Sequence, residues 1–191
     1  MKLEVIEDND KVFRFNLTEV SNAFANAIRR SAMNSVATFA IDKVTFYENS
    51  SAMFDEYIAH RIGLIPILTP KGKYSDKDEV LFALDAIGPK TVYSRELETS
   101  DKNIKVANGN IPIIKLSNDQ KLRIDAKAVL GVGYKHAKFQ PGLVTYDENS
   151  KSSFSFYVET FGQMPPKEII DKAIECMRAD LKDVEKVIKK L

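Results

Sequence analysis

An α+β architecture is the fold this sequence predicts, on three observations. Amphipathic helical stretches lie near both ends of the chain, alternating apolar strand patterns fill the middle, and no regular strand–helix–strand repeat links them, which disfavours a doubly wound parallel sheet. The chain's 191 residues are 44% hydrophobic and 29% charged, apolar enough to build a core and too apolar for a disordered segment. That length suits one large domain or two small ones. With no Trp and 11 Phe, the core falls to Phe, Ile, Val and Leu.

Leu3 and Val5 alternate with charged residues, Asp8-Asn9-Asp10 supplies turn chemistry, and Phe13, Phe15 and Leu17 resume the alternation, so the opening reads as a hairpin. Thr18 or Ser21 can cap the helix that follows, in which Val20, Phe24, Ala27 and Ile28 recur at helical spacing up to about Asn34. Residues 38–48 return to strand character, and a short helix covers 54–61, ended by Gly63. Pro66 and Pro70 punctuate an extended or edge piece at 64–68, and the polar stretch 71–79 reads as a loop. Strands are expected at 80–87, 91–97, 111–116, 121–130, 143–146 and 154–160, separated by Gly, Pro and Asn-Asp turn signals. After Gly162, Pro165-Pro166 marks the start of a helix running from about Lys167 to the C-terminus.

Charge and cysteine content then exclude several functions. Lys and Arg number 28 against 27 Asp and Glu, a net charge of +1, so a generally basic nucleic-acid coat is excluded and any DNA contact is local or indirect. A single cysteine, Cys176, cannot build an intramolecular disulfide framework or any Cys-based zinc or iron–sulfur site. No metal or cofactor is expected. No apolar run approaches the ~20 residues that span a bilayer, so the expected location is cytoplasmic, away from membranes. His60 and His136 stand apart without ligand spacing, and neither a nucleophile elbow nor a phosphate cradle occurs, so the chain by itself carries no catalytic set and no small-molecule substrate is indicated.

The strongest physical signal is in the last helix. Ile170, Ile174, Met177, Leu181, Val184, Ile188 and Leu191 step by four and three residues, a sustained apolar stripe. One reading packs the stripe on the chain's own sheet; the other gives it to a helical partner, because at 1.5 Å per residue it runs over 30 Å, about the width of a small domain. Two basic clusters accompany it. Arg29-Arg30 closes the first helix, where cations suit the negative end of the macrodipole. Lys135-His136-Ala137-Lys138-Phe139 is a basic loop, either solvated or a local nucleic-acid contact.

Several strings are recognisable together. The segment from Ser21 to Arg30, ending Asn26-Ala27-Ile28-Arg29-Arg30, resembles the N-terminal signature of the alpha-family assembly subunits of DNA-directed RNA polymerases. Ala40-Ile41-Asp42, Tyr47-Glu48-Asn49-Ser50-Ser51 and Ala59-His60-Arg61-Ile62-Gly63-Leu64-Ile65-Pro66 are similar to its archaeal and eukaryotic branch. So are Val92-Tyr93-Ser94-Arg95-Glu96-Leu97, Lys135–Phe139 and Gly162-Gln163-Met164-Pro165-Pro166. By their order and coverage, the chain is identified as a member of the archaeal group of this alpha family.

That resemblance implies a discontinuous dimerisation domain, residues 1–38 with 153–191, interrupted by a mostly β insert at 39–152. It implies a noncatalytic assembly role within a nucleotidyltransferase complex, pairing with the smaller subunit L to form a heterodimer that carries the large catalytic subunits. Phe24, Ala27 and Ile28 with Ile170, Ile174, Met177, Leu181, Val184 and Ile188 are the expected dimer surface. Arg29, Arg30, His60, Arg61, Lys135, His136 and Lys138 are candidates to meet a large subunit. Relatives with an added iron–sulfur domain carry it after the segment matching Lys135–Pro141, where this chain has only a short polar stretch around 146–152. The eukaryotic zinc loop falls near 71–78, and this chain has no cysteine there. The alternatives are a free-standing dimeric scaffold and a nucleic-acid-contacting module.

Overall fold

The computed structural model describes residues 1–72, 74, 78–99 and 101–190. Leu191, the last residue of the expected helical stripe, and part of the expected 71–79 loop lie outside the described residues. The chain divides into two compact units, Met1–Ala37 with Val132–Leu191, and Thr38–Gly131.

In the first unit, β1 (Lys2–Asp8) and β2 (Val12–Thr18) form the expected hairpin, Leu3 opposite Leu17 and Val5 opposite Phe15. Its turn is held by Asn9, whose Oδ1 accepts from the N–H groups of Lys11 at 2.9 Å and Val12 at 2.8 Å. β9 (Gly142–Ser150) and β10 (Ser153–Thr160) complete an antiparallel sheet in the order β1-β2-β10-β9. β9 pairs with β10 along its length, so it packs within the first compact unit, and the two compact units divide at 131/132. β9 also runs four residues past Tyr146. The polar residues there sit on an outer strand, and the backbone ladder to 153–155 needs no apolar side chains.

Two helices cover one face of that sheet. α1 (Asn22–Asn34) is capped by Ser21, whose Oγ accepts from the Phe24 N–H at 3.3 Å. α3 (Pro166–Ile188) begins at the proline expected to start it. Phe13, Phe15, Leu17, Val144, Phe154, Phe156 and Val158 line the sheet side of the core. The Phe15 and Phe156 rings, opposite each other in register, stack at 4.8 Å. From the helices come Ala25, Ile28, Ala32, Ile169, Ile170 and Ala173. The small residues let α1 and α3 approach closely enough for the buried Ser31 hydroxyl to donate to the Ala173 carbonyl at 3.0 Å. Gly162 adopts φ 106° just before α3, a left-handed conformation open to glycine.

The second unit is built on β3 (Ala37–Asn49), β4 (Glu79–Ile87), β6 (Glu98–Thr99) and β8 (Lys121–Val132), in the order β3-β8-β4-β6, with a separate pair of β5 (Lys90–Tyr93) and β7 (Pro112–Leu116). β4 alternates exposed and buried residues from end to end, so Val80, Phe82, Leu84 and Ala86 face the core with Leu122, Ile124, Ala126 and Ala128 of β8. α2 (Asp55–Gly63) adds Ile58 and Ile62 to this core and ends at the expected glycine.

The strand expected at 91–97 stops at Tyr93 and turns through a single 3-10 turn, Ser94–Glu96. Local polar groups compete with the ladder there. Glu96 accepts from the Tyr93 N–H at 2.9 Å and pairs with Lys90, while the buried Ser94 hydroxyl donates to the Asn108 carbonyl at 2.6 Å. Burial would push the Glu96 carboxyl up, but those hydrogen bonds and the Lys90 charge outweigh it and hold it below the ordinary range.

Candidate subunit interfaces

The apolar stripe of α3 is divided by its surroundings. Ile169, Ile170 and Ala173 are sealed in the core, and Ile174 and Met177 are half-buried against it. Every described residue from Arg178 to Lys190 is exposed. Leu181 is 66%, Val184 56% and Ile188 62% exposed. Val187, at 62%, widens the same stripe and was not among the expected interface residues, because the four-three stepping passes over it.

The expected surface on α1 is divided too. Ile28 is buried under the chain's own sheet with Ala25 and Ala32, Ala27 is half-buried, and Phe24 stands 40% exposed. Ile28 and Ile170, expected at the dimer surface, are instead buried in the core of their own unit. The reason is register: residues 25, 28 and 32 form the inward face of α1, which turns Phe24 outward. Leu3 and Val5 add to the outward apolar surface at 55% and 50% exposure. They share a sheet face with Leu17 and Phe15 but lie on the outer strand, beyond the reach of the helices.

The basic candidates also separate. Arg29 turns back on its own helix, donating Nε and Nη2 to the Asn26 Oδ1 at 3.2 and 2.9 Å. Arg30 is exposed and makes no hydrogen bond or ion pair among the described residues. α1 continues to Asn34, so neither arginine lies in its last turn and the macrodipole explanation fails.

The 135–139 loop is set by its backbone. A Cβ on Gly133 would collide with the Met33 carbonyl oxygen, and the Tyr134 N–H donates to the Asn34 carbonyl at 3.1 Å, so the loop is fastened to the end of α1. His136 Nδ1 accepts from the Lys138 N–H at 3.0 Å, which leaves the neutral ring's proton on Nε2. The Lys135 and Lys138 ammonium groups lie 6.0 and 5.1 Å from the ring centroid of the buried Phe139.

In the second unit, Arg61 braces the fold. Its Nη2 and Nε donate to the carbonyls of Pro112 and Ile113 at 2.6 and 2.8 Å. His60 beside it is exposed.

Cys176 lies on α3 with its Sγ 3.4 Å from the Ser35 carbonyl, and burial, followed by the charges of Asp180 and Glu175, pushes its thiol up. Among the described residues no group of three or more His, Cys, Asp or Glu is placed to hold a metal, and no helix is long and apolar enough to cross a membrane.

Comparison with known proteins places this arrangement. The family described as RNA polymerase Rpb3/RpoA insert domain matches residues 44–149. DNA-directed RNA polymerase subunit Rpo3 of Methanocaldococcus jannaschii is 46% identical over 157 residues, covering 82% of this chain and 80% of the relative. Its counterpart in Pyrococcus furiosus is 44% identical over 152 residues, 76% of this chain and 58% of the relative. Subunit Rpo3 of Natronomonas pharaonis is 32% identical across 96% of both chains. That alignment runs 237 positions against 191 residues here, so the relative carries sequence that this chain lacks. The chain belongs to the archaeal Rpo3 family of DNA-directed RNA polymerase subunits, the alpha-like group that shares the Rpb3/RpoA insert domain.

Proposed function

We propose that the chain acts in polymerase assembly by pairing with the smaller subunit L through the second half of α3 and the outward face of α1. The observation that carries this reading is the run Leu181, Val184, Val187 and Ile188, more than half exposed on a helix whose first half is sealed. An apolar stripe of this kind at helical spacing suits a second helix. Phe24 on α1 is the further anchor.

The heterodimer so formed carries the large catalytic subunits, and the isolated chain performs no chemistry. Arg30, Lys135 and His60 are exposed and suited to meeting acidic or carbonyl groups of a large subunit. Arg29 and Arg61 serve mainly to hold their own unit. The chain works without an iron–sulfur cluster or a Cys-based zinc site, because a single thiol cannot ligate either. Its location is cytoplasmic, with the polymerase.

Co-expression with subunit L tests the pairing. A one-to-one complex by native mass spectrometry is the expected result, lost in the Leu181→Asp/Val184→Asp double variant. A homodimer indifferent to subunit L would sink the proposal. Metal analysis of the purified pair, with subunit L alone as the blank, checks the cofactor reading.

A further inference from the structure

A second apolar face without a partner lies in the 38–131 unit. Phe54, Tyr57, Arg61 and Leu64 recur at steps of three, four and three residues along α2 and its two ends, which sets them on one helix face over about 15 Å. Phe54 is 71%, Tyr57 65% and Leu64 51% exposed, while Ile58 and Ile62 beside them are sealed in the core. Two cavities follow the seam between this face and β7. One of about 560 Å³ lies among Phe54, Tyr57, Ile114 and Lys115. The next, about 190 Å³, lies among Arg61, Leu64, Ile111 and Pro112. The seam is a groove with an apolar floor, more than one helical turn long.

Its uncompensated charge is positive. Arg61 spends Nε and Nη2 on the β7 carbonyls, and its Nη1 has no partner among the described residues. Lys115 and His60 make no ion pair among the described residues either. Of the two acidic residues on α2, Asp55 accepts from Asn49 Nδ2 at 2.7 Å, and Glu56 falls on the side of the helix away from the stripe. Strand addition to β7 is blocked at this end, because Pro112 has no N–H and Arg61 already holds the carbonyls of Pro112 and Ile113.

We propose that this groove docks an amphipathic acidic helix of a partner polypeptide. Its apolar residues seat against Phe54, Tyr57 and Leu64, and its carboxylates meet Arg61 Nη1 and Lys115. Helical spacing of the stripe selects a helix, and the unpaired cations select carboxylates. The site is separate from the α3 stripe and stands or falls without it.

The test replaces Tyr57 with the photo-crosslinking residue p-benzoylphenylalanine in the chain assembled into its purified polymerase, and identifies the adduct by mass spectrometry. The expected adduct lies in a segment of another polypeptide with apolar residues at steps of three and four and Asp or Glu beside them. An adduct to nucleic acid, to a second copy of this chain or to a segment without that pattern overturns the proposal, as does no adduct. In parallel, Tyr57→Asp and Lys115→Glu should each lower retention of that polypeptide in a high-salt wash by about tenfold. Hydrogen exchange over 80–87 and 121–132 shows that each variant is folded. Unchanged retention by folded variants overturns the docking site.

Discussion

The two halves of α3 carry one apolar repeat into opposite surroundings. From Pro166 to Ala173 the helix lies on the sheet, and Ile169 and Ile170 are sealed with Phe15 and Phe156 in one core. From Arg178 onward the same stepping leads to residues more than half exposed. A 23-residue helix is about 34 Å long, and it shares the sheet face with α1, so only its first half finds cover. Periodicity therefore records that a face suits burial, and the extent of the neighbouring surface decides what buries it.

The largest expected effect breaks that comparison if it fails. Ile169→Ala should destabilise the isolated chain by about 2–5 kcal/mol in urea unfolding, because it opens a cavity in a sealed site. Val184→Ala in the same assay should stay within about 0.5 kcal/mol; equal losses would mean that both halves are covered. Conversely, the Leu181→Asp/Val184→Asp double variant should weaken binding to subunit L by about a hundredfold while leaving the unfolding midpoint of the isolated chain unchanged.

A finer probe is Ser31→Ala, which removes the hydroxyl tying α1 to the covered half and should cost about 1 kcal/mol. The smallest effect sits at the transition between the halves. Cys176 should alkylate more slowly at neutral pH than a free thiol, its reactivity rising only at higher pH, because burial and then Asp180 and Glu175 push the thiol up. A raised folded value means that this stabilising difference is complete below the unfolded thiol's pKa and is lost as pH rises through the folded one.

Local signals were legible where local chemistry decides the outcome. The Asn9 turn, the Ser21 cap, the Gly63 stop and the Pro165-Pro166 start each act within four residues, and each appears where the sequence predicts it. The alternation of β4 reads directly as burial because both of its sheet neighbours lie within the same unit. Tyr93 failed for the opposite reason. Its apolar pattern continues a strand, but Glu96 and Ser94 offer the backbone other partners.

The candidate interface was only partly legible. Phe24 and Ile28 differ by four positions and both read as apolar helix residues, yet one faces water and the other the sheet. Arg61 reads as a partner contact, but the sequence does not show that its Nε and Nη2 hold two carbonyls of β7 more than fifty residues away. The α2 stripe at Phe54, Tyr57 and Leu64 is not legible in the sequence, because a nine-residue helix gives too short a period to stand out.

By itself, the sequence determined the element order, the caps and turns, the α+β class and the polymerase family, all of which rest on residues near one another in the chain or on ordered strings. Tertiary structure alone decided that β9 joins the terminal sheet, that Ile28 and Ile170 are core, and that α3 outruns its own sheet. Those outcomes depend on which surfaces meet across long sequence separations, and hydrophobic spacing is the same whether a face is covered by its own chain or left for another.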